Sequence, residues 1–169
     1  MQALIGESIR SISYCEIDFE EPLFDCGAHH SVDHGVQFKM ESGKQFYIIW
    51  SEQYQSHDLK FGTGSILSQF PEAYPPAMRD ISDHTKWSPF IGKKITGAIS
   101  NWPFVQYNNA TSRLRYPQDL LLYYDGEPSL TISAIEIDGA NVVEMTNNIT
   151  VFFSLKDAKK HGICFDVVP

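Results

Sequence analysis

The chain has 169 residues, of which 43% are hydrophobic, 13% aromatic and 20% charged. That length suits one globular domain or two tightly fused halves, and the aromatic excess suits strands better than helices. The formal net charge of −8 at pH 7 argues against direct binding to nucleic acid phosphates, and no run approaches the roughly 18 apolar residues that a membrane-spanning helix needs.

In chain order, Ile9 to Phe19 alternates imperfectly and predicts a strand. Glu16, Asp18 and Glu20 recur at every second position and are expected on one face of it. Residues 20–34 carry Pro, Gly and clustered polar groups and predict a loop. Val36 to Met40 and Gln45 to Trp50 predict a hairpin around Glu41-Ser42-Gly43-Lys44. Its second strand is apolar on both faces, as a central strand would be. Gly62-Thr63-Gly64 predicts a turn, and Ser65 to Phe70 is a short apolar run of ambiguous type. Residues 71–89 hold four prolines and predict a connector. Ile91 to Ile99 predicts a strand and Trp102 to Tyr116 a long loop. Leu120 to Tyr124 and Ser129 to Ile137 predict a second hairpin around Asp125-Gly126. Ile149 to Ser154 predicts a strand, Leu155 to His161 a short helix ended by Gly162, and Ile163 to Val168 a last strand.

The two halves repeat one pattern. Leu4-Ile5-Gly6 opens the first half and Phe90-Ile91-Gly92 the second, with the glycines 86 residues apart. The hairpin glycines Gly43 and Gly126 are 83 apart. The expected fold is therefore mainly β: two pseudo-repeated antiparallel units, 1–70 and 90–169, joined by the connector 71–89 and packed into one body with one or two short helices. The seam between such units is a natural ligand site.

Charge is uneven. Residues 1–86 hold 13 acids and 6 bases, whereas residues 87–169 hold 8 acids and 7 bases. Between Ser11 and Phe38 lie Glu16, Asp18, Glu20, Glu21, Asp25 and Asp33, with no Lys or Arg. Such a surface attracts basic partners or cations. Three cysteines without a framework spacing, and an N-terminus lacking a basic flank and apolar core, give the expectation of a reduced, cytoplasmic protein.

The segment Asp25 to His34 is the densest chemical cluster. Cys26, His29, His30 and His34 offer thiolate and imidazole, the zinc ligand set, although no standard zinc spacing is present. No Gly-x-Ser-x-Gly or His-Glu-x-x-His motif occurs, and Gly62-Thr63-Gly64 lacks the lysine of a phosphate loop. The carboxylates of the first strand, spaced about 6–7 Å along it, suit a hydrolase pair in principle. Trp102, in Asn-Trp-Pro-Phe, is expected to be partly exposed and available as a recognition anchor.

The negative first half, the acid stretch from Glu16 to Asp33 and the lack of an enzyme motif together resemble bacterial immunity proteins that neutralise toxins. The resemblance implies a basic protein partner such as a toxin domain, and transfers no functional residue. The expected function is a small acidic binding protein in which Glu16, Asp18, Glu20, Glu21, Asp25 and Trp102 meet that partner. A metal-dependent or carboxylate hydrolase and a small-ligand carrier using the groove between the units are the alternatives. No membrane, and no cofactor other than zinc at Cys26, His29, His30 and His34, is expected.

Overall fold

The computed structural model describes residues 2–17, 23–51, 58–106, 113–126, 129–139, 141–143 and 148–165, with backbone alone at 104–106 and 113–114. The chain forms β1 (Ile9–Glu16), β2 (His29–Val32), β3 (Gly35–Met40), β4 (Gln45–Ser51), β5 (Asp58–Thr63), β6 (Ala77–Asp80) and β7 (Ile95–Asn101). It continues with β8 (Phe104–Gln106), β9 (Arg113–Arg115), β10 (Asp119–Tyr124), β11 (Ser129–Ser133), β12 (Glu136–Asp138), β13 (Asn141–Val143) and β14 (Ile149–Phe152). One α-helix, α1 (Leu155–Lys160), follows. Short 3-10 turns occupy Gln2–Leu4 and Ile66–Gln69.

Two five-stranded antiparallel sheets carry the fold, with orders β5-β4-β3-β1-β6 and β2-β14-β11-β10-β7. Within each, four strands run as a meander: β1-β3-β4-β5 in the first and β7-β10-β11-β14 in the second. The fifth strand comes from elsewhere. β6, from the Pro-rich connector, pairs with β1, and β2, from the first half, pairs with β14 of the second. The expected loop 20–34 and connector 71–89 thus each contain a strand. Their turn-rich composition is overridden by pairing with a partner distant in sequence.

The internal repeat extends to hydrogen bonds. Gly6 and Gly92 both have positive φ, +89° and +74°, which a residue without Cβ adopts without strain. The Gly6 N–H donates to the Ile95 carbonyl at 2.8 Å, and the Gly92 N–H donates to the Ile9 carbonyl at 2.7 Å. Adding 86 to 6 and 9 gives 92 and 95, so these two bonds exchange under one pseudo-two-fold operation. Ser8 bridges Lys94 on its axis. Each unit also breaks register at the same place, between Ile9 and Ser11 in β1 and opposite Tyr123/Tyr124 in β7.

Inward-facing side chains of both sheets form one core. Val36, Phe38 and Met40 of β3 and Phe46 and Ile48 of β4 match Leu120, Leu122 and Tyr124 of β10 and Leu130 and Ile132 of β11, all buried in one cluster. The outer faces differ. Leu121 and Phe152 pack against Ala158 of α1 on the second sheet, whereas Cys15, Tyr47, Ile49 and Ile66 pack on the first. β4 is central between β3 and β5, as its apolar sequence predicts.

Several boundaries differ from expectation. β1 stops at Glu16 rather than Phe19. The long loop after Trp102 holds the β8–β9 pair. Gly62 lies inside β5, and the turn follows at Gly64. Ile163 to Phe165 is not a strand, and residues 166–168 lie outside the described residues. α1 follows expectation: Ser154 caps it by accepting from the Asp157 N–H at 3.1 Å, and Gly162 has φ +79° just beyond its end.

Candidate functional site

Two features lie where β1, β2 and β6 meet. The first is a polar cluster around a buried imidazole. β1 points Tyr14 into the core, and β2 points His30 the same way; both are 0% exposed. The Trp87 indole donates to the Tyr14 oxygen at 2.9 Å, and that oxygen stands 2.6 Å from His30 Nδ1. Indole is a donor only, so the pairing that uses every group has Tyr14 O–H donating to His30 Nδ1. His30 then carries its proton on Nε2. That nitrogen is buried without a hydrogen-bond partner and lies 3.8 Å from Asp25 Oδ1.

Asp25 gathers the rest of the cluster. His84 Nε2 lies 3.3 Å from its Oδ2, the Lys86 ammonium pairs with its Oδ1, and the Gly27 N–H donates to it at 2.9 Å. Partial burial works against the Asp25 carboxylate, but Lys86 and the Gly27 N–H outweigh it and hold its pKa down at about 2. Burial, reinforced by Lys86, pushes the His30 pKa down to about 3. Donor atoms of Asp25, His30 and His84 all lie within 4.8 Å of one another.

The second feature is a groove at the seam of the two sheets, of about 270 Å³. The first sheet lines it with Glu16, Ile17 and Arg79; β2 and the residues after it supply Ser31 and Asp33; β12 supplies Glu136 and Ile137; Leu23, Phe24 and Cys26 complete it. Glu16 is 7% exposed. Arg79 Nε approaches Glu16 Oε2 at 3.5 Å, an ion pair longer than a good hydrogen bond. Burial, with the like charge of Asp33, pushes the Glu16 pKa up, and Arg79 only partly opposes this. Leu23 is 83% exposed and Ile17 45%.

The residues singled out from sequence are thus divided. Glu16 lines the groove. Asp25 is engaged by Lys86 and His84. Asp18, Glu20 and Glu21 lie outside the described residues. Trp102 is 46% exposed but follows β7, the edge of the second sheet opposite β2, four strand spacings or about 19 Å across the sheet. It lines a separate hollow with Asn101, Arg115 and Phe165.

The proposed ligand set Cys26, His29, His30 and His34 is not brought together. Successive strand residues face opposite ways, so His29 points away from His30, against Phe152 and His161 on the outer face. His34 stacks near Phe70 on the outer face of the first sheet. Cys26 is exposed, and its thiol pKa is pushed up, mainly by desolvation. The Cys15 thiol is buried, which pushes its pKa up to about 12.

Tyr14, His84, Lys86, Arg79, Leu23 and Glu136 did not stand out in the sequence. Only Tyr14 left a local signal, as an inward position in the alternation of β1. The others reach the site through pairings of β6 and packing of the segments around it. Among protein-family models, curated proteins and solved structures, none matches this chain.

Proposed function

We propose that the chain is a protein-binding module whose seam groove docks a basic segment of a partner, with neutralisation of a cationic toxin as an immunity protein as its concrete form. The observation that supports this reading is the make-up of the groove: three carboxylates, Glu16, Asp33 and Glu136, against one guanidinium, Arg79, beside the exposed Leu23 and Ile17. A Lys or Arg side chain entering there meets Glu16 and Asp33, whose mutual repulsion it relieves. Its aliphatic stem, or an apolar neighbour, covers Leu23 and Ile17. The charges give steering and specificity, and the buried apolar contact gives residence time.

The groove has room for one or two side chains of a partner. A groove of about 270 Å³ falls just below the usual range of about 300–1,000 Å³ for small-molecule pockets. Sites that take one or two residues of a larger partner need less enclosed space, because affinity is spread over the surrounding surface.

The test is capture from the native cell at about 0.05 M and about 0.5 M salt, across which screening shortens several-fold. The wild type is compared with a Glu16→Gln/Asp33→Asn/Glu136→Gln triple variant and with Leu23→Ser. A basic protein retained by the wild type at low salt and lost by both variants supports the reading. Capture of the same protein by the triple variant at both salts contradicts it.

A further inference from the structure

We propose that Asp25, His30 and His84 form a binding site for a zinc-type divalent transition-metal ion, with Lys86 holding the place of the ion when none is bound. None of the three residues lines the seam groove, so the site is separate from the docking reading and stands or falls independently.

The geometry is close to that of a formed site. Asp25 lies 3.8 Å from His30 Nε2 and 3.3 Å from His84 Nε2. Ligand atoms about 2.0–2.1 Å from a tetrahedral zinc stand about 3.3–3.4 Å apart. Closing on an ion therefore asks for shifts on the order of 1 Å from the side chain of the exposed Asp25, whose backbone is already bridged to His30.

The second observation is independent of the cluster. His30 is fully buried, and its Nε2 has no hydrogen-bond partner, whereas buried polar atoms are normally satisfied. The ring cannot turn away to find one. Tyr14 fixes its Nδ1 at 2.6 Å, and the rings of Tyr14, Phe24, His84 and Phe153 pack around it. An ion on Nε2 moves the ring proton to Nδ1, where the Tyr14 oxygen accepts it alongside the Trp87 N–H, and the Tyr14 O–H loses His30 as its acceptor. An oxygen partner behind the imidazole is the usual support of a metal-ligating histidine.

Two imidazoles and one carboxylate suit zinc and its first-row neighbours better than magnesium or calcium. Three protein ligands leave one position open to water or substrate. A wide hollow lined by Phe24, Arg79, Asp80 and His84 gives access from solvent. Besides that lost Tyr14 O–H bond, two contacts oppose the ion. The Lys86 N–H reaches His84 Nδ1 at 3.3 Å and must be released, and the Lys86 ammonium must leave Asp25. Both lower the affinity below that of a dedicated four-ligand site.

The test is calorimetric titration of the metal-stripped, reduced full chain with Zn²⁺, with Mg²⁺ as control. Exposed thiols at Cys26 and Cys164 are removed in parallel as Cys26→Ser/Cys164→Ser. The expected result is one Zn²⁺ per chain in the wild type and in the double-serine variant, and a Tm raised by about 5–10 °C at a hundredfold excess over Kd. Asp25→Asn and His84→Ala should weaken binding by about 100-fold or more, since even supporting residues are worth about 10–100-fold. Lys86→Met should tighten binding, a gain that misfolding cannot mimic. Absence of stoichiometric binding, binding that survives Asp25→Asn and His84→Ala, loss of binding with the thiols, or weaker binding in Lys86→Met overturns the assignment.

Discussion

Tyr14 joins three segments through one oxygen atom, between Trp87 and His30. Tyr14→Phe keeps the ring in place but leaves the Trp87 N–H and His30 Nδ1 buried without partners. Each such group costs about 1–3 kcal/mol, so the variant should lose about 2–6 kcal/mol in urea unfolding; an unchanged midpoint would deny the oxygen this role. Glu16 acts through pH. Its folded pKa lies above the ordinary carboxylate value, so the folded chain holds this proton more tightly than the unfolded one. Its contribution is fully present below the unfolded pKa of about 4.5 and is lost as pH rises through the raised value. Glu16→Gln should flatten that part of the stability profile, read as the urea midpoint from pH 4 upward; an equally steep fall in the variant would assign the loss to other groups. At this scale the sequence showed that Asp25 and His30 belong to a chemically dense segment. It could not show that alternation sends His29 to the far face, or that His84 and Lys86 arrive from more than fifty residues away.

At the level of elements, the repeat was legible because glycine positions and apolar periods are local signals. Gly6 and Gly92, the two hairpins, and their inward residues all sit where the pattern puts them. β2 and β6 were not legible, because neither has the composition of a strand and each is held by a neighbour far along the chain. These two strands are what distinguish the units from a plain duplication, and both border the seam groove. α1 shows the opposite case, a six-residue helix whose end Gly162 marks in the sequence and whose start Ser154 caps in the structure. It is too short to persist alone and depends on packing over Leu121 and Phe152. Ser154→Ala removes its cap and should cost about 1 kcal/mol, seen as faster amide exchange at Ala158. Exchange there no faster than in the wild type would mean that packing alone sets the helix.

The molecule as a whole is two similar sheets sharing one core, with unlike outer faces and an uneven charge. The acidic balance of the first half was visible in composition, but its use was not. Arg79 and Lys86 fold back onto Glu16 and Asp25, and the excess carboxylates of the groove come partly from Glu136 in the other half. Docking at this seam is the central claim. Its most direct measurement is an amide NMR titration with a short peptide alternating Arg and Leu, repeated at low and high salt. The account predicts shifts concentrated at Glu16, Ile17, Leu23, Ser31, Asp33, Arg79 and Glu136 that fade as salt rises. Shifts gathered instead around Trp102 and the β7 edge, or none at low salt, would contradict it.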